Sequence, residues 1–310
     1  MASSLAGSAV PSAPVPPLGE RLHGHQLLGW RRRQLAKGGR PADFDWLLDL
    51  AGGLGWAELQ HLRLMPQRSV VLRLGRPRLE ALWQRHLRTS EPLQYLVGVC
   101  PWRDLELAVA PGVLIPRQET EILVELAMGS IAAAAPPALW ADLGTGSGCL
   151  AVALARALPA SAGLAVDLSP EALAQAAANL AHHGLAGRVA LHRGSWWQPL
   201  RPLWGRLPLV VTNPPYIPSP LLPQLDPEVR LHEPALALDG GVDGLAAIRE
   251  IVDGAARALA PGGCLLMEHH HDQSPAVLAL LHQAGLDDVR ADHDLEGVLR
   301  FASARRPEAP

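Results

Sequence analysis

Phenylalanine and tyrosine are almost missing: the 310-residue chain has two of each beside nine tryptophans. A tyrosine in a loop is therefore a feature to explain. Cysteine is nearly as sparse. Cys100, Cys149 and Cys264 lie far apart, form no CxxC pair and make an odd set, which argues against disulfides and zinc and suits reduced core thiols in a cytoplasmic protein. Basic charge is not in excess. The 27 Lys and Arg against 30 Asp and Glu leave a net charge of −3, so no global positive field draws the chain to nucleic acid, although a local basic patch stays open. Also absent is any apolar run long enough to cross a bilayer. The opening "MASSLAGSAVPSAPVPPLGE" lacks the basic start and apolar centre of a secretory signal, and it has none of the arginine typical of an organelle transit peptide until Arg21. It reads as a flexible Ala/Ser/Pro leader over residues 1–19.

What is present is enough apolar sequence, 48% against 18% charged, for a sizeable α/β core. The length suits a large domain plus a small one. Residues 20–90 show only helical patterning, with Leu27, Leu28 and Trp30 in one segment and Phe44, Leu47, Leu48 and Leu50 in the next. Pro41 marks a helix start, "AGGLG" at 51–55 a stop, and "RPRLEALWQRHL" at 76–87 a last helix. "WRRR" at 30–33 reads as a solvated helix face. Between 91 and 111 the character changes to strand, "QYLVGV" and "LELAVA" flanking "CPWRD", which predicts a β-hairpin joining the domains. From residue 112 to the end, strand and helix patterns alternate, closing on "DVRADH" and "LRFASA". Repeated βα units imply a mainly parallel sheet covered on both faces, with ligands beyond the carboxyl ends of its strands.

Three of those ends carry chemistry. In "ADLGTGSGCLAVALA" the stretch Gly144, Thr145, Gly146, Ser147 and Gly148 is a turn opening a helix, whose glycines allow tight torsions and let main-chain N–H groups approach a ligand. A shifted reading, Gly146-x-Gly148-x-x-Ala151, also satisfies a dinucleotide fingerprint, and a plain packing turn stays open. Asp167 ends the next strand, where a carboxylate can accept both hydroxyl protons of a ribose; Ser169, Pro170 and Glu171 cap the following helix and leave Asp167 free for a ligand. That combination fits an adenosine-type cofactor. The third end is "VVTNPPYI", with Asn213 on the same rim as Gly144 and Asp167. Pro214 and Pro215 each fix φ and delete an N–H, giving a stiff backbone of acceptors without donors. The Asn213 side-chain oxygen and the Pro214 carbonyl can accept the two protons of a planar NH₂ group while Tyr216 flanks its face. Two such acceptors orient a delocalised nitrogen lone pair and bind more strongly as the nitrogen turns positive. The arrangement serves a carboxamide or an exocyclic base amine equally.

With these motifs the chain resembles the class I methyltransferases that use S-adenosylmethionine, and among them the HemK/PrmC family of release-factor glutamine N5-methyltransferases. The resemblance covers about residues 40–305. It rests on "EPLQYLVG", "GVLIPRQETEILVE", "DLGTGSG", "AVDLSPEAL", "VTNPPYIP", "EPALALDGGVDGL" and "PGGCLLMEH". "LIPRQETE" discriminates most, because NPPY also occurs in methylases of DNA and RNA amino groups. The resemblance implies an α/β fold with a seven-stranded, mostly parallel Rossmann-like sheet, a small N-terminal helical domain that docks the release factor, and methylation of the glutamine in that factor's Gly-Gly-Gln loop. By position it places cofactor contacts on Gly144 to Gly148, Asp167, Trp196 and Asn213, and substrate contacts on Asn213, Pro214, Pro215 and Tyr216, of which Asn213, Pro214 and Tyr216 carry catalysis. No metal, membrane or direct nucleic-acid binding is implied. One departure is Ser195 in "GSWW", where many relatives have an acidic residue that meets the adenine amine.

Other conspicuous residues have plainer readings. "EHHHD" at 268–272 reads as a solvated loop, since successive side chains point in different directions. His182 and His183 suit the end of a helix, and Glu119, Thr120 and Glu121 the start of one. By resemblance the last three also line an active-site wall. Glu233-Pro234 with Gly240-Gly241 reads as a rigid, Gly-rich loop covering the substrate.

Overall fold

The computed structural model describes residues 19–131 and 136–308, so the expected leader, apart from Gly19, lies outside the described residues. These residues form two compact units that divide between Arg88 and Thr89.

In the smaller unit, helices Gly24–Leu35, Pro41–Leu50, Trp56–Leu64 and Arg76–Thr89 pack around buried Leu27, Trp30, Phe44, Leu47 and Trp83. Phe44 sits edge-on to Trp83 with ring centroids 4.9 Å apart, the arrangement that aromatic quadrupoles favour. Pro41 occupies the first turn of its helix, where its missing N–H has no intrahelical partner to lose. The unit is not purely helical as expected. Glu20–His23 pairs antiparallel with Ser69–Leu72, and each strand is four residues long with only one or two side chains turned inward, too few for an alternating pattern to register. In "WRRR", Arg32 and Arg33 are exposed, but Trp30 belongs to the core and Arg31 holds Asp45 through two hydrogen bonds.

The larger unit begins with a second correction. "QYLV" is part of a short helix, Leu93–Val97, ended by Gly98 at φ 81°, and the hairpin is confined to Val99–Trp102 and Leu105–Ala108. The hairpin belongs to this unit.

The central sheet has seven strands: β1 (Leu139–Leu143), β2 (Ala162–Asp167), β3 (Val189–Arg193), β4 (Leu207–Thr212), β5 (Leu259–Glu268), β6 (Asp287–His293) and β7 (Leu299–Arg305). Their spatial order is β6-β7-β5-β4-β1-β2-β3. The pairs from β3 across to β5 are parallel; β7 and β6 add antiparallel edges. The chain order reverses between β1 and β4, which makes the crevice at their carboxyl ends the expected ligand site. Helices α1 (Glu121–Ile131), α2 (Cys149–Ala157) and α3 (Pro170–His182) contribute to the core on one face, with Trp140, Leu209 and Val211. On the other face α4 (Ala246–Ala258) and α5 (Ser274–Gln283) pack over Ala141, Val210 and Met267. Neighbouring residues Val210 and Val211 thus enter opposite cores, as a strand period of two requires.

Two contacts fix β1. Thr212 donates its hydroxyl to the Leu143 carbonyl at 2.7 Å, tying the ends of β4 and β1 together. Trp140, fully buried, lies opposite Gly163 of β2, and a Cβ on Gly163 would stand 2.3 Å from the Trp140 ring. The indole has no free space to retreat into, so Gly163→Ala is expected to lower stability by about 1–3 kcal/mol, the usual cost of overpacking. Urea unfolding checks this; an unchanged midpoint would show that the strand pair can shift.

Candidate active site

The crevice opens into a cavity of about 750 Å³, within the range of small-molecule sites. Its walls include Gly144, Gly146, Asp167, Trp196, Asn213 and Pro215. Of the other expected contacts, Thr145 and Ser147 are buried within the turn and Gly148 caps α2. Pro214 is buried and Tyr216 half-buried behind Asn213.

The glycine turn departs from expectation in one respect. Its glycines do take positive φ, 74° at Gly144, 55° at Gly146 and 81° at Gly148. Their N–H groups, however, turn inward. Gly144 and Thr145 both donate to the Val166 carbonyl, at 2.8 and 3.0 Å, and Gly148 donates to Thr145. Gly146 donates to Asp167 Oδ2 at 2.9 Å. A phosphate cradle needs such N–H groups aimed at the ligand, so this turn is not one. Nor is Asp167 wholly free, since its Oδ1 also accepts from the Ser169 N–H at 2.9 Å. Each carboxylate oxygen keeps a further lone pair, and burial pushes the Asp167 pKa up.

Trp196 sits at φ 42°, a conformation that bulky residues rarely adopt, so the turn after β3 holds it against local preference. It packs on the core and also forms a cavity wall. Beside it, Ser195 donates to Glu250 Oε1 of α4 at 3.1 Å, and Glu250 also lines the cavity. A carboxylate is therefore present at this end after all, from a helix 55 residues away.

The opposite end joins Asn213, Tyr216 and Thr120 to an acid that reads in sequence as part of a solvated loop. Glu268, the last residue of β5, is buried at 1% exposure, and His269 is fully buried, so only the later part of "EHHHD" is a solvated loop. Glu268 Oε2 accepts from the Thr120 hydroxyl at 2.6 Å and Oε1 from the Tyr216 hydroxyl at 2.9 Å. Thr120 Oγ1 in turn accepts from Asn213 Nδ2 at 3.0 Å. Burial raises the Glu268 pKa, and the two hydroxyl hydrogen bonds oppose that rise. Burial, with the Glu268 charge, also holds the Tyr216 phenol protonated well above its ordinary range, so it serves as a donor and not as a base. Glu119, Thr120 and Glu121 do precede or open α1 as expected, but Thr120 faces inward. The signals for it were a polar residue at a helix start and the resemblance, which places this segment in an active-site wall.

Arg117 and Glu233 join the two segments at the mouth. Arg117 Nη2 donates to Glu233 Oε1 at 2.6 Å and the Ile115 N–H to Oε2 at 3.2 Å. This brings Gly112–Leu114 together with Pro234, Leu236 and Ala237 as cavity walls. Among the described residues, no group of His, Cys, Asp or Glu could hold a metal ion, and no helix is long and apolar enough to cross a membrane.

Beneath the turn, Asp142 is fully buried, and burial pushes its pKa from 3.8 to about 7 despite a 2.7 Å hydrogen bond from Thr145. The unfolded chain loses this proton near 3.8, whereas the native state keeps it until about 7. The native state binds more protons across that window, so stability falls as pH rises through it. Asp142→Asn, which can still accept from Thr145, is expected to flatten this slope. Urea unfolding at several values between pH 4 and 8 measures it; an unchanged slope would assign the titration elsewhere.

Comparison with known proteins agrees with the geometry. A general methyltransferase-domain family matches residues 141–221. The chain is 51% identical over 283 residues to the release factor glutamine methyltransferase of Prochlorococcus marinus, covering 91% of this chain and 97% of that one. It is 44% identical over 280 residues to the enzyme of the same name from Gloeobacter violaceus, covering 88% and 94%. The solved catalytic domain of hMettl16, in complex with MAT2A 3′UTR hairpin 6, matches with a TM-score of 0.52 at 14% identity, over 77% of this chain and 84% of that one, a likeness of fold alone. Matched at this identity over nearly the full length of its relatives, the chain is a methyltransferase that belongs to the release factor glutamine methyltransferase family.

Proposed function

We propose that the protein methylates the side-chain amide nitrogen, N5, of the glutamine in the Gly-Gly-Gln motif of peptide chain release factors, with S-adenosylmethionine as donor. The observation that carries this reading is Asn213, an amide set in the cavity wall by two prolines, at the carboxyl ends of β1 and β4. Family membership supports glutamine over a nucleobase as the group it meets. The net charge of −3 does not encourage the base amine.

S-adenosylmethionine, when bound, supplies a methyl group activated by its sulfonium. The residues present suit it. The glycine turn spends its N–H groups internally, which fits a ligand with no phosphate there. Asp167 retains lone pairs for ribose hydroxyls, and Trp196 offers a flat wall with the Glu250 carboxylate close by. At the substrate end, Asn213 Oδ1 and the Pro214 carbonyl accept the two protons of the glutamine NH₂, and the ring of Tyr216 flanks its plane. These contacts hold the nitrogen lone pair toward the methyl carbon and strengthen as positive charge develops. As the N–CH₃ bond forms, the S–CH₃ bond would break with its electron pair left on sulfur as a neutral thioether, and the cationic amide nitrogen, strongly acidic, would give its proton to water, so no dedicated base is needed.

The smaller unit is the proposed docking module for the release factor. Exposed Trp56, Leu64 and Met65, on and just beyond one helix, support an apolar contact there. Three buried thiols and an intact reduced core suit work in the cytoplasm.

Purified protein with methyl-labelled S-adenosylmethionine is expected to label a release factor from the same organism, and replacing the Gly-Gly-Gln glutamine should abolish the label. Labelling of nucleic acid alone, or persistence on another residue, would overturn the assignment. Asn213→Ala is expected to lower kcat by about a hundredfold or more, in line with loss of one preorganised transition-state contact, with cofactor affinity changed far less. Equal losses in both would mark Asn213 as structural.

A further inference from the structure

A side-chain amide is nearly symmetric in shape and opposite in polarity at its two ends. Turned by 180°, Asn213 would present an NH₂ to the NH₂ of the substrate, and the clamp would repel what it is built to hold. Something must therefore fix which end faces the cavity, and packing alone discriminates poorly between the two.

The hydrogen bonds around Asn213 fix it by counting protons. Both hydroxyls donate to Glu268, as they must when its carboxyl is ionised: Tyr216 to Oε1 at 2.9 Å and Thr120 to Oε2 at 2.6 Å. Thr120 has a single hydroxyl proton, and that bond uses it. Its oxygen can then only accept, and it accepts from Asn213 Nδ2 at 3.0 Å. The amide oxygen is left for the cavity. Glu268 and Thr120 are 1% and 2% exposed, so water does not compete for these bonds.

From this geometry we infer that Glu268 is a positioning residue for the methyl transfer: through Thr120 it sets the polarity of the Asn213 amide, and directly it anchors Tyr216. Neither Glu268 nor Thr120 touches the reacting atoms. The inference rests on the proposed role of Asn213 in binding an NH₂ group, and it adds the reason that the amide faces the right way. It also explains a buried acid at the end of a strand that otherwise requires only apolar residues. Burial raises the pKa of the Glu268 carboxyl, and the two hydroxyls that face it oppose the rise.

The test separates polarity from packing. Thr120→Val keeps the side-chain shape and removes the hydroxyl, and Glu268→Gln keeps the volume but offers an NH₂ to one of the two partners. Each is expected to lower kcat by about tenfold or more while the Kd for S-adenosylmethionine changes by no more than about twofold. Thr120→Ser, which retains the proton-ordering hydroxyl, should recover most of the turnover. The double variant Thr120→Val with Glu268→Gln should lose little more than the worse single one, because the two act in series.

A second readout needs no substrate. In protein carrying ¹⁵N-labelled asparagine, the Asn213 Nδ2 resonance, identified by its loss in Asn213→Asp, should exchange its protons with water at least about tenfold faster in Thr120→Val than in the natural protein. Unchanged exchange, or unchanged kcat per folded molecule in Thr120→Val, would overturn the inference. If the unaltered protein labels no release factor, the proposed substrate falls, and amide exchange still decides whether Glu268 and Thr120 order Asn213.

Discussion

A carboxylate removed from water keeps its charge only where other donors replace its hydration. Burial raises the Glu268 pKa, and the donors that oppose the rise are hydroxyls from two distant parts of the chain, Thr120, 148 residues earlier, and Tyr216, 52 residues earlier. The segment before α1, the loop after β4 and the end of β5 are thereby held in one geometry. Thr120 then reaches Asn213, while the Thr212 hydroxyl secures the neighbouring strand end to β1. The site is stiff because its polar groups are matched to one another, and the matching leaves acceptors facing the cavity.

Much of the larger unit was legible in the sequence because its central strands are buried on both faces and its helices are long. "LPLVVTN" and "GCLLME" admit few other readings, whereas of the terminal strands β7 buries Phe301, Ala302 and Ala304 and β6 buries none of its residues. Strand order was not legible from those patterns, since β7 lies between β6 and β5 through pairings that no local signal encodes. The misreadings share a physical cause. Glu20–His23 and Ser69–Leu72 are too short to show a period, and "QYLV" combines β-favouring residues with a position that completes one helical turn before Gly98. "EHHHD" is polar throughout, and nothing within it reveals that Glu268 meets partners far away in sequence and His269 is buried while Asp272 faces solvent.

The glycine turn shows where residue types stop being informative. A dinucleotide cradle and the turn seen here both need glycines at positive φ, and the spacing from Gly144 to Ala151 satisfies either. They differ in where the N–H groups point, and that is set by Val166 and Asp167 on the neighbouring strand. Asp167 is thus both a wall of the cavity and a support of the turn, so its carboxylate was less free than its place at a strand end implied. Glu250 is the complementary case: a carboxylate at the Ser195 end of the cavity, contributed from α4, that no motif around Ser195 announces.

The chemistry of Asn213 and its prolines remains general even with the geometry in view. Two acceptors and a flat neighbour recognise a planar NH₂ group, a property that a carboxamide shares with a nucleobase. Tyr216 adds no discrimination through its hydroxyl, which is committed to Glu268, so only its ring is left to meet a substrate. On the proposed reading, selectivity for glutamine lies in surfaces beyond the clamp, and the Arg117–Glu233 tie that shapes the mouth is one such surface. The proposed clamp would set which bond is made, and the surrounding surfaces which molecule presents the nitrogen.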